Sequence, residues 1–212
     1  KLIADKEDTA QVFHIIEALN GKSNRRDFAR FMQSETGPDL LKKRTFLPDI
    51  LDDHAPLKRL PKGSVGRTYV EFMEREGLTA HGLVEESLQQ RALHTQYDDD
   101  LLWYSNRLRD THDMYHVLTG YGATVPGELA LASYYLSQIR FPYHAIRLAV
   151  TMGHTAFVAP KGVVPSMDAF VDGWYYGRNS TNINFEKWEE RLGEPLSALQ
   201  SEMNLRQIAK AA

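Results

Sequence analysis

Apolar side chains return at three- and four-residue intervals through Ala10–Leu19, Arg67–Glu76, Asp99–Thr119, Leu129–Arg140 and Phe185–Leu205. That spacing lines one face of an α-helix, whereas the strict alternation of a half-buried strand is scarce in this chain. The pattern predicts a mainly α protein. Its 212 residues, 42% of them apolar, suffice for one core. A single-domain helical bundle over 1–212 is therefore expected, with no internal repeat. Glycine and proline place the predicted breaks at Gly37-Pro38, Pro48, Pro56, Pro61-Lys62-Gly63, Gly120-Tyr121-Gly122, Pro126-Gly127, Pro160–Pro165, Gly173–Gly177 and Gly193. Ser64 reads as the N-cap of a following helix. Trp188, Leu192, Leu196, Leu199 and Met203 share a face, as core residues do.

Composition removes several classes of function. The chain has no cysteine, so disulfides, thiolate nucleophiles, zinc fingers and cysteine-held clusters are out, and any metal must use nitrogen and oxygen ligands. Twenty-five basic against 28 acidic residues leave a formal charge of −3, which provides no broad positive field for a nucleic acid. The most apolar stretch, Phe141–Pro160, is interrupted by Pro142, His144, Arg147 and His154, so no membrane-spanning helix is expected.

The chemistry concentrates in one segment. His112 and His116 are four residues apart, on one helical face, so their imidazoles can converge on a point. Asp113 lies about 100° around the axis from His112 and borders the same site, either as a ligand or as the group that orients a water. Gly120-Tyr121-Gly122 ends that helix, and Pro126-Gly127 opens a return helix whose first turn carries Glu128 opposite the histidines. Each residue also has a plainer reading. A His-x-x-x-His pair can be core histidines with satisfied hydrogen bonds, Asp113 can be a solvated partner of Arg109, and Glu128 suits any first helical turn. Together, two imidazoles and two carboxylates on one hairpin read as a metal-binding site, because burying them uncompensated is costly.

The motif differs from the zinc-protease helix, since Asp113 stands where that chemistry needs a longer glutamate. An HD-type metal phosphohydrolase would need a further histidine and aspartate; His81, His94, Asp168 and Asp172 are available but lack a distinctive context.

The run His112-Asp113-x-x-His116, eleven residues, then Glu128, resembles the metal-ligand signature of the fourth Coq protein family of ubiquinone (coenzyme Q) biosynthesis. Other similar features are Gly63-Ser64-Val65-Gly66-Arg67-x-Tyr69, Arg107 and Arg109, Gly120 and Gly127, Gly173-x-x-x-Gly177-Arg178, and Trp188. The likeness is strongest over 61–206; the first sixty residues match less distinctively, although Phe13 and Pro48 fit the general pattern. It implies a divalent cation, commonly zinc, with iron or manganese suiting the same donors, held by His112, Asp113, His116 and Glu128. It further implies oxidative decarboxylation at ring carbon C1 of a polyprenylated 4-hydroxybenzoate derivative, with Asp113 as the catalytic residue. The alternative is a non-enzymatic lipid-binding scaffold that organises other ubiquinone-biosynthesis proteins. Expected partners are the polyprenylated quinone precursor, those other proteins and a membrane surface held peripherally; a homodimer is compatible. The resemblance places the chain at the cytoplasmic face of a bacterial inner membrane, or the matrix side of the mitochondrial inner membrane. A groove for the prenyl tail is expected between Tyr134 and Val158, drawing on Tyr134, Tyr135, Leu136, Ile139, Phe141, Ile146, Leu148, Val150, Met152 and Phe157, with Arg140 and Arg147 near headgroups.

Overall fold

Two long parallel helices, α9 (Val125–Ile139) and α11 (Val163–Asn179), are joined by α10 (Pro142–Val158), which runs back between their ends. Their backbones nearly touch. A Cβ on Gly173 would overlap the Ala130 carbonyl, and one on Gly177 would meet the Ser137 hydroxyl and the Tyr134 carbonyl. Ser133 Oγ adds a 2.6 Å hydrogen bond to Phe170 O. Gly173 and Gly177 were expected to interrupt the chain; instead α11 runs through both, because glycines one turn apart make a flat face on which α9 lies. The α10 and α11 helices are absent from the sequence-predicted set for the same reason: glycine and proline dilute their periodicity.

The computed structural model describes residues 23–89, 98–139 and 142–206. The predicted helix at Ala10–Leu19, together with Phe13, His94, Arg140 and Phe141, lies outside the described residues, as do the side chains of His144, Ile146, Arg147, Leu148 and His154. Within the described residues there is no strand, and the elements are helical throughout. Before the long pair come α1 (23–32), α2 (Gly37–Lys43), α3 (Leu47–Leu51), α4 (His54–Arg59), α5 (Val65–Glu76), α6 (Ala80–Gln89), α7 (Asp99–Asp110) and α8 (His112–Thr119). After it come α12 (Trp188–Arg191) and α13 (Leu196–Glu202).

Ser64 caps α5, accepting from Arg67 N at 3.4 Å. Gly77, at φ 69°, ends that helix in the left-handed region. The helical pattern over Phe185–Leu205 resolves into a 3-10 turn at Ile183–Phe185, α12 and α13, with the predicted break at Gly193, and Pro195, between the last two. The break serves packing: Val65 and Gly66 donate to Glu194 O and Leu192 O, and Leu196 N donates to Gly63 O. The expected core residues Trp188, Leu192, Leu199 and Met203 are buried, with Leu196 partly buried against them. Pro56, predicted as a break, lies in the first turn of α4, where its missing N–H costs no helical bond.

Asp99–Thr119, expected as one helix, divides at Thr111 (φ −91°, ψ −2°). The Thr111 hydroxyl donates back to Arg107 O and Leu108 O, both at 3.1 Å, a pattern that bends helices. Among the described residues the largest buried core joins α3, α4, α5, α6, α8, α9, α11, α12 and α13, with Tyr69, Met114, Tyr115, Leu131, Tyr134 and Trp188 in it.

Candidate metal centre

The bend at Thr111 gives His112, Asp113 and His116 their own short helix, with Asp113 in its first turn, where unpaired N–H groups favour a carboxylate. Gly120 closes α8 at φ 79°, its N–H bonded to His116 O at 2.8 Å. The chain then folds tightly. A Cβ on Gly127 would overlap the Gly122 carbonyl, so glycine there lets the turn press against the start of α9. Thr124 accepts from Glu128 N at 2.8 Å through its carbonyl and from Gly127 N at 3.4 Å through its hydroxyl. These contacts bring Glu128 over the histidines.

One potential ligand atom from each of His112, Asp113 and His116 lies within 4.8 Å of the other two. Glu128 Oε1 is 3.1 Å from His116 Nε2, and its Oε2 is 3.7 Å from His112 Nε2. All four residues selected from sequence therefore share one neighbourhood. The side chain of His116 is 1% exposed while those of His112 and Glu128 are 27% and 30% exposed, so the cluster is deep on one side and open on the other.

Several neighbours orient it that spacing alone does not reveal. His116 Nδ1 is 2.9 Å from Tyr121 O, a carbonyl that can only accept; Nδ1 thus carries hydrogen and Nε2 points toward Glu128. Phe72 of α5 stacks on the His116 ring at 5.5 Å, and Tyr135 lies parallel to His112 at 6.3 Å. Tyr121 is itself held by Asp172, 2.6 Å from its hydroxyl, and Arg206 pairs with the same carboxylate. Sequence marked Tyr121 only as part of a break; its useful atom is a backbone carbonyl, which no residue type announces.

Burial pushes the Asp113 carboxyl up to about 6; the His116 charge opposes this, while Glu128 and Asp52 add to it. For His116 burial acts downward, yet the hydrogen bond and charge of Glu128 outweigh it and the imidazole lies above the ordinary histidine value. Such a set of two imidazoles and two carboxylates suits a divalent cation with nitrogen–oxygen preference, whose charge would stabilise the buried carboxylate in its ionised form.

The other candidates lie elsewhere. His81 is bonded to Asp52 and Asp49 at 2.6 and 3.2 Å, Asp172 to Tyr121 and Arg206, and Asp168 is exposed. Arg109 lies on Asp110, and Arg107 is a buried strut, reaching Glu189 at 2.8 Å and Glu186 O at 2.9 Å. Of the residues considered for a prenyl groove, Tyr134, Tyr135 and Ile139 are core, Leu136 and Met152 pack with Leu129, Ala132 and Phe170, and Val150 and Phe157 are exposed.

The family model described as "Coenzyme Q (ubiquinone) biosynthesis protein Coq4" matches residues 3–209. Among curated proteins, the ubiquinone biosynthesis protein COQ4, mitochondrial, of Yarrowia lipolytica is 28% identical over 181 residues, covering 84% of this chain and 64% of that protein. Its namesake in Talaromyces stipitatus is 31% identical over 174 residues, covering 82% and 57%. The chain thus spans less than two thirds of the length of these relatives. In fold it is similar to a crystal structure of a provisionally named ubiquinone biosynthesis protein from Nostoc punctiforme, with a TM-score of 0.68 at 20% identity over 95% of this chain and 91% of the other. A match across nearly the whole sequence, on a chain whose hairpin gathers the four residues of the signature, means that this chain belongs to the Coq4 family of coenzyme Q (ubiquinone) biosynthesis proteins.

Proposed function

We propose that the chain is a metal-dependent protein of ubiquinone biosynthesis that replaces the C1 carboxyl of a polyprenylated aromatic acid by a hydroxyl. The observation that carries this reading is the convergence of His112, Asp113, His116 and Glu128, with His116 oriented by Tyr121 O. A divalent cation held there, zinc first with iron or manganese suiting the same donors, supplies Lewis-acid polarisation of the substrate's carboxylate or phenol. The half-exposed side of His112 and Glu128 faces the substrate, while Phe72 and Tyr135 keep the ring nitrogens dry. Asp113, which a bound cation would keep ionised, would accept a proton from the substrate hydroxyl. Loss of carbon dioxide with gain of a hydroxyl is a two-electron oxidation, and dioxygen or another two-electron acceptor must complete it.

An apolar surface supports peripheral membrane contact. Val150, Phe157 and Val158 on α10 are exposed, and so are Val164, Met167, Val171 and Tyr175, which follow one another along α11; Phe157 is 89% exposed. Among the described residues no helix is long and apolar enough to cross a bilayer. Burying this surface in a lipid interface would bring the polyprenyl substrate to the protein. The relatives carry mitochondrial names, and the proposed site of action is the matrix side of the inner membrane, with other ubiquinone-biosynthesis proteins as partners. The protein should leave membranes in alkaline carbonate; resistance would contradict the peripheral reading.

The scaffold reading shares the site but needs no chemistry. Metal analysis of purified protein, with mass spectrometry of co-purified lipids and of quinone intermediates in cells relying on Asp113→Asn, separates the two. Accumulated C1-carboxylated precursor beside abundant, folded protein is expected. Normal quinone levels in all four ligand variants despite lost metal would transfer the assignment to the scaffold. The phosphohydrolase reading is disfavoured, since His81, Asp168 and Asp172 do not join the cluster.

A further inference from the structure

We propose that an arginine-lined cavity at the far end of α9 binds a phosphate-bearing anion. The cavity measures about 480 Å³ and is bounded by α1, the last turns of α9 and α11, and the segment after α11. Glu128 occupies the first turn of α9 and Ser137 the last, so the two sites are separated by about 14 Å of helix at 1.5 Å per residue.

Three guanidinium groups, Arg26, Arg30 and Arg178, share this cavity with a single carboxylate, Asp27. That carboxylate is already engaged. Asp27 is 2% exposed, accepts from the Tyr104 hydroxyl and pairs with Arg30 at 3.2 Å. Arg30 is thereby held in place, with a second bond to Gln138 O at 3.4 Å and its guanidinium 6.0 Å from the Phe185 ring. Arg26 donates to the Ser23 hydroxyl at 3.3 Å, which takes up no charge. Arg178 makes no hydrogen bond or ion pair among the described residues. Arg178 also offsets the carbonyl end of α11 from its last turn, but that explains one arginine of three. Asp27 lies within electrostatic reach of Arg26 as well as Arg30, so one carboxylate faces three guanidinium groups and the wall keeps an excess of positive charge.

The remaining lining is polar. Ser137, Gln138, Ser180 and Asn182 line it; the Ser137 and Ser180 hydroxyls and the Gln138 amide are bonded within the protein, while Asn182 Nδ2 has no hydrogen-bond partner. Forked guanidinium groups, with the Asn182 amide beside them, match the several acceptor oxygens of a phosphate or diphosphate. The volume is within the range of small-molecule sites, larger than one inorganic phosphate requires. With Ile139 as the main apolar contribution, the cavity does not suit a prenyl chain, so this site is independent of the reading proposed for the hairpin. The shared ligand chemistry is a phosphate or diphosphate dianion, carried by a soluble ester or by a phospholipid headgroup.

The test uses the whole purified protein with inorganic pyrophosphate in calorimetry, and phosphatidylcholine vesicles with and without phosphatidate in co-sedimentation. Saturable pyrophosphate binding is expected, weakened at least about tenfold in an Arg26→Gln/Arg178→Gln double variant whose thermal melting is unchanged, and retained in His116→Ala. Binding to phosphatidate vesicles alone, lost in the double variant, supports the proposal with a lipid headgroup as source. It is overturned if neither probe binds, if the double variant binds as the parent does, or if His116→Ala alone abolishes binding, which would locate pyrophosphate at the hairpin.

Discussion

The two ends of α9 are chemical opposites. Its first turn brings a carboxylate to two imidazoles and a second carboxylate, and all four come from the stretch 112–128. Its last turn borders three arginines contributed by α1 and α11, from distant parts of the chain. One helix thus separates a neighbourhood suited to a cation from one suited to an anion. The difference teaches that a site built within a single hairpin is encoded by spacing and turn residues, whereas a site built between elements depends on how closely those elements approach. Here that approach is set by Gly173 and Gly177.

The comparison can be broken most sharply at the cation end. His116→Ala should lower metal affinity by at least about tenfold, measured as metal per chain after dialysis, with Glu128→Gln weaker in effect and still folded. The Arg26→Gln/Arg178→Gln variant should keep full metal content. Equal metal in His116→Ala and the parent would remove the cluster from consideration.

Next in size is the helix pair on which both ends depend. Gly173→Ala forces a methyl against the Ala130 backbone, where no side chain can move aside, and should cost about 3 kcal/mol of stability. Denaturant unfolding measures it. A loss under about 0.5 kcal/mol, the range of surface changes, would show that α9 and α11 are not held by this contact.

A smaller effect sharpens the electrostatic side. The folded-state pKa of Asp113, about 6, lies above the ordinary 3.8. Its contribution to stability is therefore present below pH 3.8 and lost as pH rises through 6. In chelator-treated protein at pH 7.5, Asp113→Asn should raise stability by about 2 kcal/mol, and the gain should shrink toward pH 4. A variant less stable than the parent at pH 7.5 would mean that the buried carboxylate is already compensated by its neighbours.

The smallest effect belongs to neither end. Ser64→Ala removes the α5 cap and should cost about 1 kcal/mol while leaving metal content and pyrophosphate binding unchanged. Loss of either would show that the sites respond to global stability rather than to their own residues.

The helical class, the Ser64 cap, the Gly120 stop and the grouping of His112, Asp113, His116 and Glu128 were legible because each rests on contacts within a few turns of chain. The misread elements have two causes. Gly173 and Gly177 resemble breakers when only local propensity is weighed, yet they lie inside α11 because close packing against Ala130 and Tyr134 outweighs the entropy that glycine loses in a helix. Thr111 looks like any helical residue, and its bend comes from a hydroxyl bonded to the preceding turn.

Sequence by itself determined the candidate donor types and their order, since cysteine is absent and the four nitrogen and oxygen donors sit at helical spacing around one turn. Only the tertiary structure decided what surrounds them: Phe72 against His116, Tyr121 O on its ring nitrogen, and three arginines around one carboxylate. The physical reason is range. Helical spacing and turn stereochemistry act within a few residues, while burial and charge balance are set by segments that meet only after the chain has folded.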